Sequence, residues 1–228
     1  MLASRASLPT SVLNPRQLIR LGMSLAIPRH LFMVSGPATS RRVALTFDDG
    51  PHPTHTPRLL DRLKARNIPA TFFVLGRAAE QHPELVRRMF DEGHDVGHHS
   101  FTHGEPPRTS ARTLTAEARQ TAQLLGGLLG IAPPRLFRPP HGKLTAPKAL
   151  ALWAAGQSIV LWNRDPKDFA CGDAEALRSW CRSNRLAGGD VVLLHDTHPH
   201  AAEVIDDIVG AVTSEGLAFG RVSDWVLS

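Results

Sequence analysis

The stretch VALTFDDG, residues 43–50, sets the fold class of this chain. Residues 43–47 form a short apolar, β-prone run that leads into two aspartates and a glycine. Such a run is typical of a buried strand that enters a turn, because Asp and Gly favour turn conformations. One Asp-Asp pair before a glycine is uninformative about function by itself. The stretch therefore predicts a buried strand that ends at Asp48 and Asp49.

Downstream of this strand, strand-like and helical segments alternate to the end of the chain. The predicted strands are residues 43–47, 70–75, 95–96, 136–137, 158–162 and 191–195. The predicted helices are residues 56–66, 83–91, 115–129, 146–155, 174–184 and 201–213. This alternation predicts an α/β fold in which helices cover a parallel sheet, either open or closed into a barrel.

The composition is that of an ordinary globular protein. The chain has 228 residues, of which 42% are hydrophobic and 21% charged, and these values predict one large domain rather than a disordered or fibrous protein. A domain of this size does not need a metal or a disulfide for its stability, so we expect any bound metal to take part in catalysis. The cysteines Cys171 and Cys181 lack a second C-x-x-C pair, which excludes a zinc ribbon. We expect two reduced thiols rather than a disulfide.

The net charge of +5 is concentrated near the amino terminus. Residues 1–42 contain six Arg and no acidic residue, whereas residues 43–228 carry 20 basic and 21 acidic residues. A nucleic-acid binder would carry clustered Lys and Arg on the body of the domain, so this class of function is disfavoured. We expect residues 1–41 to form a basic N-terminal arm and residues 42–228 to form the functional domain.

The arm contains a predicted short amphipathic helix over residues 15–27. Asn14–Pro15 is typical of a helix start, and Pro28 of a stop. Docking of this helix on the domain is the favoured interpretation, and a weak membrane-surface contact is the alternative. No apolar run reaches the ~20 residues of a membrane span, and no signal-peptide pattern is visible. We therefore expect a soluble, cytoplasmic monomer.

Polar side chains gather where the predicted strands end, at the edge where parallel α/β folds place their sites. These residues are Asp48, Asp49, His98, His99, His103, Arg138, Asp165, Asp168, His195 and Asp196. Turn chemistry does not explain five such clusters at successive strand ends. Carboxylates beside imidazoles indicate a metal-assisted hydrolase, with one Asp and two His as ligands, an open position for water and further groups for proton transfer.

Two histidine pairs have the spacing of metal ligands. His99 and His103 are four residues apart, so they would share one face of a helical turn. His94 and His98 have the same spacing, but Gly97 interrupts them and they lie at a predicted strand entry. The pair His99/His103 is therefore the preferred interpretation, with His94/His98 as the alternative.

Five motifs along the chain resemble those of a known family. They are TFDDG at 46–50, HSFTH at 99–103, RPPHG at 138–142, DPKDF at 165–169 and LLH at 193–195. In this order they resemble the motifs of the NodB-homology polysaccharide deacetylases, carbohydrate esterase family four, over about residues 42–228. The resemblance implies a distorted, incomplete (β/α) barrel of about seven strands. It also implies metal-dependent removal of N-acetyl groups from a polysaccharide or oligosaccharide that contains N-acetylglucosamine, such as chitin oligosaccharide, peptidoglycan or exopolysaccharide.

Carried over position by position, the resemblance implies a metal site and a base. Asp49, His99 and His103 would bind a divalent metal, with Zn²⁺ expected and Co²⁺, Ni²⁺ or Mn²⁺ as alternatives. Asp48 would be the general base that takes a proton from the attacking water. Arg138 would keep the Asp48 carboxylate ionised.

The resemblance also implies an acid and a substrate pocket. His195 would protonate the leaving amine, and Asp168 would orient its imidazole. Leu193 would line a pocket for the acetyl methyl group, and the backbone N–H of His141 would help to hold the oxyanion. Phe169 would form an apolar wall beside the substrate.

The chain departs from the family motifs at three positions. His141 replaces the usual aromatic residue and would contact sugar hydroxyls if its ring takes part, while Phe169 replaces a Trp. His98 stands where the family often has Asn. None of these changes removes a ligand, base or acid. Trp162, at the end of a predicted strand, is compatible with both core packing and sugar contact.

Two rival functions share the expected fold. The first is an amidohydrolase that acts on a linear or cyclic amide without a sugar, and the acetyl-methyl pocket at Leu193 counts against it. The second is a catalytically silent sugar-binding homologue. The presence of Asp48 and His195 counts against this second function, because binding alone does not need them.

Overall fold

The computed structural model describes Gly22, Met23 and residues 26–226, and within them it contains a single curled sheet of parallel strands. The strands are β1 Phe32–Met33, β2 Arg42–Asp48, β3 Thr71–Val74, β4 Asp95–His98, β5 Leu136–Phe137, β6 Ser158–Val160, β7 Val191–His195 and β8 Ala218–Gly220. Their order is β1-β6-β5-β4-β3-β2-β7, and β8 pairs with β2. In the described chain no pairing joins β1 to β7, so the seven-strand path forms the expected incomplete barrel.

Helices cover the outer face of the sheet. They are α1 His55–Ala65, α2 Gly76–Gln81, α3 Pro83–Asp91, α4 Ala111–Leu129, α5 Ala146–Ala154, α6 Ala174–Ser183, α7 His200–Glu203, α8 Ile205–Thr213 and α9 Ser223–Val226. The largest hydrophobic cluster lies between this layer and β2, β3 and β7. Within it Phe47 and Phe72 stack with ring centroids 5.1 Å apart, and Leu60 and Leu63 of α1 are fully buried. Burial of such side chains contributes about 1.5–3 kcal/mol each and fixes β2, whose last residue is Asp48.

The predicted α/β alternation is confirmed, with differences at element ends. Helix α4 starts at Ala111 rather than at residue 115, because the Ser110 side chain accepts a hydrogen bond from the Thr113 N–H and caps the helix. The segment predicted as one helix over 201–213 is divided at Val204 into α7 and α8. The short elements β1, β8, α2 and α9 were not predicted, because two to six residues carry too little periodicity.

The sheet includes part of the segment that the sequence assigns to the arm. β1 pairs with β6, so the sheet begins before the predicted boundary at residue 42. Most of the predicted helix over 15–27 lies outside the described residues. At its described end, Met23 and Ile27 pack partly buried against a hydrophobic cluster beside α5. Of the helices in the described ranges, none is long and apolar enough to cross a membrane.

Both cysteines are free thiols, as expected. Cys181 is buried in α6, and burial raises the pKa of its thiol to about 11. Cys171 is half-buried, and burial also raises its pKa. Neither environment favours the reactive thiolate.

Candidate active site

The carboxyl ends of the central strands bring the motif residues to one edge of the sheet. In the β2–β3 and β2–β7 registers, Asp48 lies opposite Phe73 and His195. β4 ends at His98, directly before His99. Because all the strands are parallel, their C-terminal loops meet at this edge.

Asp49, His99 and His103 form the cluster that could hold a metal ion. The Asp49 Oδ1 atom lies 3.6 Å from His99 Nε2 and 3.5 Å from His103 Nε2. This oxygen is buried and accepts no hydrogen bond from the described residues. A buried carboxylate oxygen without a donor is unfavourable, and a cation between it and two imidazole nitrogens removes that cost. The donor set therefore fits a divalent metal.

Burial and one backbone contact prepare His99 for ligation. Its Nδ1 lies 2.7 Å from the carbonyl oxygen of Arg138, so Nδ1 carries the proton and donates to that carbonyl. The lone pair of Nε2 then faces Asp49. Burial lowers the pKa of His99 to about 3, against the charge of Asp49, which raises it. The imidazole is therefore neutral at ordinary pH, as metal binding requires.

A loop rather than a helix brings the two histidines together. The prediction that His99 and His103 share a helical turn was wrong: Ser100 has φ 67° and His103 has φ 59°, both left-handed. The Ser100 hydroxyl accepts a hydrogen bond from the His103 N–H at 3.1 Å. The backbone N–H groups of Phe101 and Thr102 each donate to Glu117 Oε2 of α4 at 3.2 Å. Sequence reasoning missed Glu117, because a Glu on a helix carries no signal for this contact.

The alternative pair, His94 and His98, does not meet. His94 precedes β4 and His98 ends it, so they lie at opposite ends of a four-residue strand, about 13 Å apart at ~3.3 Å per residue. The Nδ1 of His94 accepts a hydrogen bond from the Ala70 N–H. The Nε2 of His98 pairs with Gln157 Oε1 at 2.8 Å, deep in the interior. This geometry removes the alternative.

Arg138 is fully buried and holds the carboxylate of Asp48. Its Nη1 donates to Asp48 Oδ1 at 2.7 Å and to Thr46 Oγ1 at 2.8 Å. Its Nε and Nη2 donate to the carbonyls of Val160 and Leu161. Burial raises the pKa of Asp48, and the nearby charges of Arg138 and His195 oppose that rise. A bound cation would oppose it further.

His195 is paired with Asp168 through two hydrogen bonds. The Nδ1 of His195 lies 2.8 Å from Asp168 Oδ1, and its backbone N–H donates to Asp168 Oδ2 at 2.6 Å. Burial alone would lower the pKa of His195, but the hydrogen bond and charge of Asp168, with Asp48 and Asp49, raise it to about 9. The Nε2 lies 4.0 Å from Asp49 Oδ2, so the proton it carries faces the metal cluster.

The predicted substrate residues surround the same cluster. The Phe169 ring is 53% exposed and meets the His195 ring edge-on at 5.4 Å. Leu193 lies two residues before His195 in β7 and therefore on the same face of that strand. The His141 ring lies 4.6 Å from the ring of the candidate ligand His103. These three side chains therefore border the site.

Trp162 and His141 lie beside the cluster in different surroundings. Trp162 is half-buried, lies 5.5 Å from the Arg138 guanidinium and donates its Nε1–H to Asp165 Oδ2 at 3.2 Å. It packs partly against the protein interior, and of the two compatible roles core packing is the one this contact favours. His141 has φ 56°, a left-handed conformation within the short turn Pro140–Gly142.

Comparisons with known proteins agree with this geometry. The sequence profile described as polysaccharide deacetylase matches residues 35–160, more than half of the chain. A peptidoglycan-N-acetylglucosamine deacetylase of Bacillus cereus is 33% identical over 199 residues, covering 85% of this chain and 71% of the relative. A chitooligosaccharide deacetylase of Bradyrhizobium sp. is 37% identical over 178 residues, 78% of this chain and 80% of the relative.

A solved structure extends the likeness from the sequence to the fold. The crystal structure of the Bc1960 peptidoglycan N-acetylglucosamine deacetylase, in complex with an N-hydroxybenzamide derivative, superposes with a TM-score of 0.81 at 31% identity. The match covers 87% of this chain and 94% of that one. Profile, relatives and structure all point to one family, and the chain belongs to the polysaccharide deacetylase family.

Proposed function

We propose that this chain is a metal-dependent hydrolase that removes N-acetyl groups from an N-acetylglucosamine-containing polysaccharide or oligosaccharide. The observation that carries the proposal is the pair of proton-transfer groups beside the metal cluster. Asp48 is held by Arg138 on one side, and His195 is held by Asp168 on the other. Relatives named for peptidoglycan and chitooligosaccharide deacetylation support the choice of an amino-sugar substrate.

Asp49, His99 and His103 would hold the metal, and Zn²⁺ suits this set of two nitrogens and one oxygen. Co²⁺, Ni²⁺ and Mn²⁺ are the alternatives that a metal titration would separate. When bound, the cation makes water more acidic and polarises the acetyl carbonyl.

Asp48 would act as the general base. Arg138 occupies its Oδ1, which leaves Oδ2 facing the cluster at 3.7 Å from His99 Nε2. The pKa that burial raises makes this carboxylate a stronger base than an exposed Asp. It would accept a proton from the water that attacks the acetyl carbon.

His195 would act as the general acid. With a pKa near 9 it is an imidazolium at neutral pH, and Asp168 fixes the ring so that Nε2 carries the proton into the site. An amide nitrogen leaves readily only when protonated, so a proton delivered there would allow the carbon–nitrogen bond to break.

The surrounding residues would recognise the acetylated sugar. We assign the acetyl-methyl pocket to Leu193, the apolar wall to Phe169 and an oxyanion contact to the His141 backbone N–H. Trp162 would support the site indirectly, because its ring packs against the Arg138 guanidinium that holds Asp48. The ring of His141 would reach sugar hydroxyls at the exposed rim.

The test is acetate release from chitin oligomers, peptidoglycan and a lipid-linked amino sugar, with and without a chelator. We expect release from at least one of the three, loss with the chelator and recovery when Zn²⁺ is added. Release from a small non-sugar amide alone would favour the amidohydrolase. Sugar binding without turnover at any metal concentration would favour the silent homologue.

The cellular location of the protein decides which polymer it can reach. We keep the cytoplasmic location and the monomeric state as predictions, and cell fractionation and light scattering test them. The same fractionation, with and without residues 1–27, tests the weak membrane-surface contact of the predicted helix over residues 15–27.

A further inference from the structure

Asp196 is a buried carboxylate that the proposed reaction does not use. It follows His195 and is 1% exposed. Its Oδ2 accepts a hydrogen bond from the Thr56 hydroxyl at 2.5 Å, whereas its Oδ1 has no partner among the described residues. Burial of a carboxylate with an incomplete set of partners destabilises a fold, so the presence of Asp196 calls for a functional reason.

The carboxylate of Asp196 lies against the turn that follows β2. A Cβ atom built on Gly50 would fall 2.1 Å from both carboxylate oxygens, so the Gly50 backbone passes directly over them. The backbone N–H of Asp196 also donates to the carbonyl of Asp48 at 3.4 Å. Asp196 therefore touches the turn on either side of Asp49.

A second contact reaches the far end of the same turn. The Thr56 hydroxyl that donates to Asp196 accepts a hydrogen bond from the His52 N–H at 2.7 Å. The Thr56 N–H donates in return to the carbonyl of His52 at 3.1 Å. One buried carboxylate thus fixes residues 50 to 56 at both ends.

Asp49 needs such support, because its φ of 75° is left-handed. A non-glycine residue in this conformation is strained by about 1–3 kcal/mol and persists only where its surroundings hold it. We propose that Asp196 is a positioning residue that holds residues 49–56 so that the carboxylate of Asp49 faces His99 and His103. The proposal rests on the metal-binding role given to Asp49 in the proposed function, and it assigns no proton transfer to Asp196.

Zinc affinity of the full chain, measured by competition with a chromophoric chelator, tests the proposal. We expect Asp196→Ala to weaken zinc binding at least about tenfold and to lower kcat more than it changes KM. The visible spectrum of the Co²⁺-loaded variant should also change, which a contact that serves stability alone would not cause. Asp206→Ala, which removes an exposed carboxylate on α8, is the matched control and should bind zinc as the wild type does.

Thr56 gives a test that does not depend on the folding of Asp196→Ala. Thr56→Val should weaken zinc binding in the same direction, whereas Thr56→Ser keeps the hydroxyl and should bind as the wild type does. Wild-type affinity in both Asp196→Ala and Thr56→Val would overturn the proposal.

Gly50 tests the close approach directly. Gly50→Ala should weaken zinc binding, and Gly50→Ala/Asp196→Ala should bind at least as tightly as Gly50→Ala alone, because the second change removes the overlapping carboxylate. Losses that simply add would overturn the proposal. Failure of the proposed function looks different: the wild type would bind no zinc, or Asp49→Ala would bind it as tightly as the wild type.

Discussion

At the scale of single residues, two adjacent aspartates have separate surroundings. Asp48 closes β2, and its side chain points into the interior against Arg138. Asp49 has left the strand in a left-handed conformation, and its Oδ1 faces His99 and His103. Two adjacent residues therefore provide a group suited to proton transfer and a group suited to metal ligation. Substitution of Asp48 and substitution of Asp49 should affect turnover and zinc binding differently.

For Asp48→Asn we expect zinc binding to stay nearly intact while kcat falls about 10²–10⁴-fold, because the amide cannot accept the proton. Acetate release and the zinc content of the purified variant are the measurements. Asp49→Asn is the matched control and should lose zinc. If Asp48→Asn lost zinc and Asp49→Asn kept it, the two carboxylates would have to exchange roles.

The Asp168–His195 pair predicts a pH dependence with a definite sign. His195 must be protonated to act as the acid, so kcat/KM should fall as pH rises through its pKa. Burial lowers this pKa, but Asp168, with Asp48 and Asp49, raises it to about 9. Asp168→Asn removes that charge, lowers the pKa and should move the falling limb to lower pH by about one unit or more. The limbs of the profile belong to the coupled site rather than to single residues. An unmoved alkaline limb in Asp168→Asn would contradict the assignment.

At the scale of elements, the sequence predicts best where a segment is long or clearly bounded. Helix α3 runs over Pro83–Asp91 as predicted, because Pro83 occupies its first turn and Gly93 follows its end in a left-handed conformation. β1 has two residues and no periodicity to detect. The resemblance named Asp49, His99 and His103, which meet in the candidate metal cluster. It did not give the supporting contacts of Glu117 and Asp196, because those contacts depend on tertiary structure alone.

The contact between α4 and the loop of His103 gives a prediction at this scale. Glu117 accepts hydrogen bonds from two backbone N–H groups and from the Thr102 hydroxyl, at 2.8 Å in the last case. Glu117→Ala should therefore loosen the loop and weaken zinc binding, by less than His103→Ala does. Zinc competition measures both, and Glu117→Gln, which keeps one acceptor oxygen, should recover part of the loss. Equal affinity in wild type and Glu117→Ala would show that the loop holds its shape alone.

At the scale of the whole molecule, β1 ties the segment before residue 42 to the sheet. Phe32 and Met33 are each 1% exposed, and β1 pairs with β6 in parallel register. The segment assigned to the arm therefore has at least one part that belongs to the core. This division predicts different results for a short and a long truncation.

Deletion of residues 1–21 should leave zinc affinity and acetate release unchanged, because every motif lies after Arg42. Deletion of residues 1–40 removes β1 and exposes its neighbours, so we expect a loss of at least about 3 kcal/mol in the free energy of unfolding. Urea denaturation of both truncated chains is the measurement. A folded short truncation that bound zinc without turnover would give the arm a part in catalysis.

The left-handed residues around the site have a consequence for heat resistance. Within the described ranges the non-glycine residues with positive φ are Asp49, Asn67, Ser100, His103, His141 and Lys167, and all but Asn67 lie in the loops of the site. Glycine would relax the backbone at each of these five positions, yet it would remove a candidate ligand or alter a loop that holds a residue of the site. Selection for thermal stability alone would therefore favour variants that are more stable but inactive. A screen for thermal stability should therefore include a turnover assay at every round.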